Sequence, residues 1–415
     1  MTDSNVAFVD RLHEDTDAAE KIVADILADV RLRGDEAVLE LTRRFDYSEA
    51  TVLQVPAEAI DAAAERVAQT PLWGALQAAA ERIRTFHQKQ LRQSWMDFSQ
   101  PGEALGQRIV PLKRVGVYVP GGRAAYPSTV LMAGIPALVA GVKQVALTTP
   151  PSKETGFPPD ATLAAAKLAG FTEVYAMGGA QAIGALAYGT KSVRAVDKIV
   201  GPGNIYANLA KKLVFGTVGI EMLAGPSEVG VLFDDTTNPH DVALETICQI
   251  EHDPANRALL VTPSRMALEA VQAAIESQLQ DLPRADIVRQ SLTHSFGVVT
   301  ESLADAIRVV NDFAPEHLHI LTSEPWTILP QVENAGAILL GPNSRAALGD
   351  YMFGPSHTLP TGGCARYASP LNVDDFVKKQ SVIWVNSVAA AALSDPAATI
   401  ATFEGLEGHA RSARG

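Results

Sequence analysis

The sequence predicts an α/β protein of two similar halves, each a parallel sheet with helices on its faces. Two observations predict it. From Arg114 onward, short apolar runs bounded by Gly or Pro alternate with helix-like stretches, and strand–helix alternation of this kind builds parallel βαβ units. The alternation then runs through a second series, within 415 residues that suit two or three domains. No residue-level repeat relates the two series.

The first hundred residues read as a helical layer. DTDAAEKIVADILADVRLRGDEAVLELTRRF carries apolar positions at three- and four-residue spacing, with Gly34 as the break between two helices. AEAIDAAAERVAQT and the segment from Trp73 to Leu91 continue that pattern. In the first α/β series the expected strands are Val115–Val119, Gln144–Thr148, Glu173–Met177 and Asp197–Val200. They are short, β-branched and bounded by Gly or Pro, as buried strands are. Helices are expected over Thr129–Val142, Ala161–Leu168, Ala180–Tyr188 and Ile205–Phe215. The second series reads strand Glu228–Phe233, helix His240–Glu251, strand Ala258–Val261 and helix Ser264–Gln280. It continues with strand Phe296–Thr300, helix Leu303–Phe313, strand His319–Leu321, helix Thr327–Ala335 and strand Ala337–Leu340. The tail from Val373 ends in the basic turn HARSARG and reads as an arm that docks elsewhere.

Composition narrows the function. The net charge of −13 argues against nucleic acid, which needs clustered Lys and Arg. A hydrophobic share of 47% with 20% charged residues is that of a folded globular chain. Two cysteines, Cys248 and Cys364, make no disulfide framework and fit a reduced compartment. The start, MTDSNVAFVDRLHED, carries no secretory pattern, and the most apolar stretch, Thr129–Val142, is shorter than the roughly 18 residues of a membrane span. A soluble, cytoplasmic protein is expected.

Several motifs carry chemistry. Glycine turns recur where strands should end, at Pro120-Gly121-Gly122, Gly178-Gly179-Ala180-Gln181 and Gly201-Pro202-Gly203-Asn204. Ligands of open α/β sheets bind at the carboxyl ends of strands, where helix N-termini favour phosphate. No turn completes G-x-G-x-x-G, and no P-loop motif is present, so the turns suggest a nucleotide without choosing one. Gln249 and His252 share a helical face in Gln249-Ile250-Glu251-His252. They are read either as a metal site or as an ordinary helix end, an amide being an uncommon zinc ligand. Glu316-His317 places an acid beside an imidazole just past a helix, a pair able to divide base and acid duties if both face a cleft. That pairing requires an irregular loop, since neighbours in a strand point to opposite faces. The alternative is a solvated helix cap. The loop Gly349–His357 holds Asp350 and His357 seven residues apart. Both cysteines lack a basic sequence neighbour and read as inert.

Taken together, these strings resemble the histidinol dehydrogenase family, the zinc- and NAD-dependent last enzyme of histidine biosynthesis. The matching runs, in order, are FHQKQLRQSW, RVGVYVPGG, STVLMAG, GGAQAIGALAYGT, KIVGPGNIYA, GIEMLAGPSEV, QIEHDP, APEHL, ALGDY, GPSHTLPTGG and EGLEGHARS. The resemblance implies zinc ligands at Gln249, His252, Asp350 and His409, and a general-base pair at Glu316 and His317. It implies NAD contacts at Tyr118, Gln181 and Asn204. Substrate contacts are implied at Ser227, His357 and Glu404, together with the ligand set and His317.

The fold it implies is that of the aldehyde dehydrogenase class, two incomplete Rossmann-like domains with helical N- and C-terminal arms. Residues 1–15 would be an N-terminal arm. Residues 16–117 with 228–371 would form one domain on the zinc side, and 118–227 the NAD-side domain. The arm 372–415 would reach the partner of a homodimer, where His409 and Glu404 complete the other subunit's site. The implied reaction is the four-electron oxidation of L-histidinol through L-histidinaldehyde to L-histidine. Two departures from the family pattern stand beside Asp350: Phe353 in place of a small residue, and Asn343–Ala346 ahead of ALGDY. The alternatives are a zinc/NAD dehydrogenase of another small polar alcohol, such as a sulfopropanediol, and a zinc hydrolase using Glu316. The glycine turns speak against the hydrolase.

Overall fold

The computed structural model describes residues 17–121 and 125–415. The expected arm at 1–15 and Gly122 lie outside those residues. Four helices lead the described chain: α1 (Asp17–Arg33), α2 (Asp35–Phe45), α3 (Ala57–Ala68) and α4 (Pro71–Gln88). Gly34 separates the first two at φ 59°, a conformation L side chains rarely adopt. Each helix buries one stripe, for example Val23, Leu27 and Val30 on α1, the mark of a helix that packs by one face.

The first sheet comprises β3 (Arg114–Tyr118), β4 (Gln144–Thr149), β5 (Glu173–Ala176), β6 (Lys198–Val200) and β7 (Gly219–Ile220), in the order β5-β4-β3-β6-β7 and parallel throughout. Helices α5 (Pro127–Val139), α6 (Asp160–Ala169), α7 (Gly179–Tyr188) and α8 (Ile205–Val214) connect its strands. Helix α5 is buried on every side from Thr129 to Ala137, so it reads as an apolar run without a polar face. The chain leaves β3 toward β4 and β5, then returns to place β6 on β3's other side. The gap between β3 and β6 is therefore the topological switch point, where ligands of such sheets bind.

The second sheet repeats the plan. Its strands β8 (Glu228–Phe233), β9 (Arg257–Thr262), β10 (Phe296–Val299), β11 (His317–Leu321) and β12 (Ala337–Leu340) run in the order β10-β9-β8-β11-β12. Helices α9 (Pro239–Ile250), α10 (Arg265–Gln278), α11 (Ala285–Leu292) and α12 (Leu303–Phe313) flank it. Helix α11 carries no expectation from the sequence. The helix expected at Thr327–Ala335 shrinks to Pro325–Ile328 plus a 3₁₀ turn at Leu329–Gln331, because Pro330 interrupts the run without an N–H to donate.

A third, antiparallel sheet was not expected. Strand β1 (Trp95–Asp97) lies in the stretch expected to be helical, β2 (Glu103–Pro111) follows it where no element is expected, and β13 (Val377–Val385) pairs with β2 along its whole length, from Val377↔Pro111 to Val385↔Glu103. The pairing joins segments some 270 residues apart, which no local periodicity signals. Helices α13 (Ser387–Phe403) and α14 (Glu407–Arg414) follow as a hairpin closed by Ala398, Ala401 and Ala410.

The expected domain boundaries place residues 16–117 with 228–371. In the structure α1 and α2 pack on α7 and α8, and α3 and α4 pack on α6 and α5, so this helical layer covers the first sheet. Strand β3 also starts at Arg114, inside that sheet.

A buried ion pair fixes the amino ends of β3 and β5. Arg114 meets Glu173 with two hydrogen bonds, 2.8 and 2.7 Å, and their side chains are 5% and 12% exposed. Arg114, with Tyr175 and Arg194 beside it, holds the Glu173 carboxyl down at about 2. Its contribution is complete above the ordinary glutamate range near 4.3 and is lost as pH falls toward about 2. Replacing Glu173 by Ala leaves Arg114 buried without its partner. We predict a loss of about 3–5 kcal/mol, read from the denaturant midpoint at pH 7 and shrinking as the pH is lowered to 3. A loss under about 0.5 kcal/mol would show that water replaces the carboxylate.

Candidate active site

The carboxyl edge of the first sheet carries one group of the expected residues. Tyr118 ends β3, is 2% exposed, and accepts a hydrogen bond on its hydroxyl from the Gly179 N–H at 3.2 Å. Gln181 lies in the first turn of α7 and is buried. Asn204 caps α8, its side chain accepting from the Ala207 N–H at 3.1 Å. Gly201 lies between the strand ends at φ 119°, and a Cβ there would come within 2.0 Å of the Tyr118 carbonyl oxygen. Only glycine permits this approach. The three residues thus line the switch point, with two helix N-termini directed at it.

The second sheet brings its groups to the opposite edge, the amino ends of β8 and β11. Helix α12 ends at Ala314 in the left-handed region, φ 49°. That turn swings Pro315 and Glu316 back to the sheet, and His317 becomes the first residue of β11, paired with Val229 and Ala337. The pair is therefore not an open loop, and it is buried rather than a solvated cap: Glu316 is 7% and His317 5% exposed. Glu316 sits just before the strand's regular alternation begins, so both side chains occupy one place, with Nδ1 of His317 3.8 Å from Oε2 of Glu316. The Glu228 N–H donates to the same Glu316 oxygen at 3.0 Å. Burial pushes the Glu316 carboxyl up to about 7. Burial works against a charged His317, yet Asp350 and Glu316 together hold it above the ordinary histidine value.

Asp350 lies in a π-helical turn, Gly349–Phe353, with Oδ1 3.6 Å from Nε2 of His317. Burial favours its neutral form, but His317 holds it below the usual carboxylate range, with His357 and Gln249 contributing. Nδ1 of His357 donates to the Asp350 carbonyl at 3.0 Å, which leaves Nε2 to accept from the Thr129 hydroxyl at 3.2 Å. Thr129 belongs to α5, so His357 joins the two halves. Ser356 adds a second tie. Pro136 has no N–H for the Met132 carbonyl, and the Ser356 hydroxyl donates to that carbonyl instead at 3.3 Å. A cavity of about 100 Å³ opens here, lined among others by His317, Asp350, Phe353 and His357. Phe353 thus forms a wall of it.

Gln249 is 2% exposed near the end of α9 and neighbours the Asp350 carboxylate, without a hydrogen bond of ordinary geometry. Its Nε2 is buried with no partner. His252, just past the helix, is exposed and close enough to His357 for their charges to interact. Ser227, immediately before β8, is half-buried, and its N–H donates to Asn256 at 2.9 Å. Glu404 and His409 are not brought to this site by their own chain, being exposed on the α13–α14 hairpin. Among the described residues, no three His, Cys, Asp or Glu side chains gather into a metal cage. Cys248 is pushed up to about 12 by burial, with Asp350 and Glu245 adding to the effect, which supports the inert reading of this thiol.

Sequence reasoning missed Thr129, Glu228, Ser356 and His319. Nothing local marks the first three. His319 had a signal, since it lies two residues from His317 and so on the same strand face. It is wholly buried, neither ring nitrogen has a hydrogen-bond partner, and burial pushes it down to about 3.

Comparison with known proteins agrees with this arrangement. The family model described as histidinol dehydrogenase matches residues 9–415. The chain belongs to the histidinol dehydrogenase family. The histidinol dehydrogenase of Halalkalibacterium halodurans is 48% identical over 398 residues, covering 96% of this chain and 93% of the relative. The crystal structure of histidinol dehydrogenase from Elizabethkingia anophelis superposes with a TM-score of 0.91 at 36% identity, covering 97% of this chain and 92% of that one. An NAD-dependent aldehyde dehydrogenase from Sinorhizobium meliloti shares the fold at a TM-score of 0.50 and 13% identity, over 88% of this chain and 87% of its own. Membership makes this chain a dehydrogenase of histidine biosynthesis with the incomplete Rossmann-like domains expected of it.

The buried pair makes a direct physical prediction for this member of the histidinol dehydrogenase family. In metal-free protein, carbon-13 NMR of the Glu316 carboxyl should titrate near pH 7, well above the ordinary value near 4.3. A midpoint near 4 would mean that water reaches the carboxylate.

Proposed function

We propose that this protein is a cytoplasmic, zinc- and NAD-dependent dehydrogenase that oxidises L-histidinol to L-histidine in two steps, as a homodimer with shared sites. The observation that carries the reading is the convergence of Glu316, His317, Asp350, Gln249 and His357 at the amino edge of the second sheet. The family supplies the substrate. No helix among the described residues is long and apolar enough to cross a membrane, in keeping with the proposed location.

The donor chemistry fits zinc. Gln249 has an unpartnered amide end beside Asp350, and turning the amide oxygen to that place makes it a ligand. One chain offers this amide with the Asp350 carboxylate and the His252 imidazole, one nitrogen donor short of a tetrahedral set. His409 of the partner subunit is the proposed fourth. Zinc would supply a template for the substrate's amine and imidazole nitrogens. The switch point fits a dinucleotide, since Gly201 leaves room for close backbone approach and α7 and α8 present their N-termini. Tyr118, Gln181 and Asn204 are the proposed contacts, and NAD would supply the hydride acceptor for each step.

In the first oxidation His317 accepts the hydroxyl proton as the carbinol carbon loses hydride. Asp350 and Glu316 hold the resulting imidazolium. In the second, Glu316 takes a proton from the water that adds to the aldehyde, a role open to it above about pH 7. The His317 imidazolium returns its proton to the carbonyl oxygen in that hydration, and the neutral imidazole then accepts the hydrate's proton as the second hydride leaves. Ser227, His357 and the partner subunit's Glu404 are the proposed contacts to the substrate's polar groups.

The arms support the dimer. Trp384 and Ile383 on β13, and Val388 and Phe403 on α13, are more than half exposed, an apolar surface of the kind that covers a second subunit.

The assay that tests the reading scores histidine and NADH together, with zinc present. Two NADH per histidinol consumed, with histidine formed, is the expected result. A yield near one, or no histidine, would remove the four-electron reaction. Sharing is tested by mixing a His409→Ala subunit with a Glu316→Ala/His317→Ala subunit. Reassembled mixtures should recover activity that neither homodimer has, up to about a quarter of the parent's for one intact site in half of the dimers. Equal inactivity before and after mixing would count against a shared site.

A further inference from the structure

Glu245 touches all three elements that carry the inner groups of the site. It lies on α9 one turn before Gln249, on the same helical face. One of its oxygens accepts from the Ala346 N–H at 2.9 Å, and the other accepts from Nη1 of Arg345 at 3.2 Å. Arg345 also donates to Asp241, a turn earlier on α9, at 2.9 Å. Nε2 of His319, on β11, is 3.6 Å from the oxygen that holds Ala346. The side chain is 7% exposed.

The segment held this way has little rigidity of its own. Residues Ala346–Leu348 form one short helical turn, and Gly349–Phe353 continue as a wide π turn containing Asp350. A helix this short leaves its first N–H groups without partners inside it, and Glu245 takes up one of them. The outer Arg345–Asp241 contact would be enough to pin the chain to the surface of α9. A buried carboxylate beneath it carries a desolvation cost that simple anchoring does not require.

We propose that Glu245, acting with Arg345, is a positioning residue that fixes the separation between Gln249 on α9 and Asp350 on the π turn, and through it the affinity of the cation site. The inference rests on the reading of Gln249, His252 and Asp350 as zinc ligands. Glu245 touches neither substrate nor cation; it holds the frame of the groups that do. Residues behind a metal's ligands commonly govern affinity by factors of about 10–100.

The test compares the full-length parent with Glu245→Ala, Glu245→Gln and Arg345→Met, by zinc competition against a chromophoric chelator. Amide hydrogen exchange of residues 346–353 is followed in the metal-free proteins, with circular dichroism as the control for folding. The Ala variant should bind zinc about 10–100-fold more weakly and exchange the Ala346–Asp350 amides at least about tenfold faster. Glu245→Gln still offers an acceptor to Ala346 and should recover most of both. Parent-like zinc affinity in Glu245→Ala would overturn the inference alone. Faster exchange spread over the whole second sheet would also overturn it, because the role would then be general stability. If Glu245→Ala does not fold, Glu245→Gln and Arg345→Met decide: Arg345→Met should weaken zinc with folding kept, and parent-like affinity in both overturns the inference. A parent that takes up no zinc overturns the ligand reading and the affinity claim with it.

Discussion

The register of β11 between β8 and β12 sets the position of the other groups at the site. Pairing begins at His317, opposite Val229 and Ala337, and the Glu228 N–H one step earlier on β8 takes hold of Glu316. A slip of one residue would send His317 to the opposite face and leave Glu316 without its donor. The left-handed turn at Ala314 delivers the chain in this phase. The helix before it, the strand after it and the catalytic pair are thus one geometric unit.

Two sheets of the same plan contribute opposite ends. The first offers its carboxyl edge, where the switch point and helix N-termini suit an anionic cofactor. The second offers its amino edge, where buried carboxylates and imidazoles shift one another's proton affinities. The contacts of His357 and Ser356 with α5 hold these edges together. Hydride chemistry needs a cofactor face and a proton acceptor on either side of one carbon, and edges of unlike character meeting across a cleft provide that. With Cys248 held as a neutral thiol, the chemistry falls to the acid–imidazole pair.

The central parallel strands β3, β8 and β11 were legible because they are buried on both faces and read as largely apolar runs. Glu228–Phe233, Leu303–Phe313 and Ala337–Leu340 match their elements end to end. What failed has physical causes. The β2–β13 pair depends on a partner far along the chain, and its strands are half-buried to exposed, so neither carries a buried-strand pattern. The run at Thr327–Ala335 has helical spacing, but Pro330 cuts the helix short. At the site, residue types and motif order identified Glu316, His317, Asp350 and His357, whereas Thr129 and Glu228 contribute by placement, which spacing does not encode. Glu404 and His409 stand exposed on the terminal hairpin, and their motifs pointed to a partner subunit's site, a contact outside a single chain.

The proline inside α5 has a consequence for the order of events during synthesis. Until residue 356 is available, the Met132 carbonyl sits in an apolar helix core one hydrogen bond short, a defect worth about 1–3 kcal/mol. The amino-terminal half is therefore born with a vacancy that only the far half can fill. A polypeptide broken off before Ser356 would remain the less stable for it and the more open to proteases. The same serine that relieves the helix carries His357 into the cleft beside it, so the chain reaches its full stability at the step that also installs an active-site imidazole.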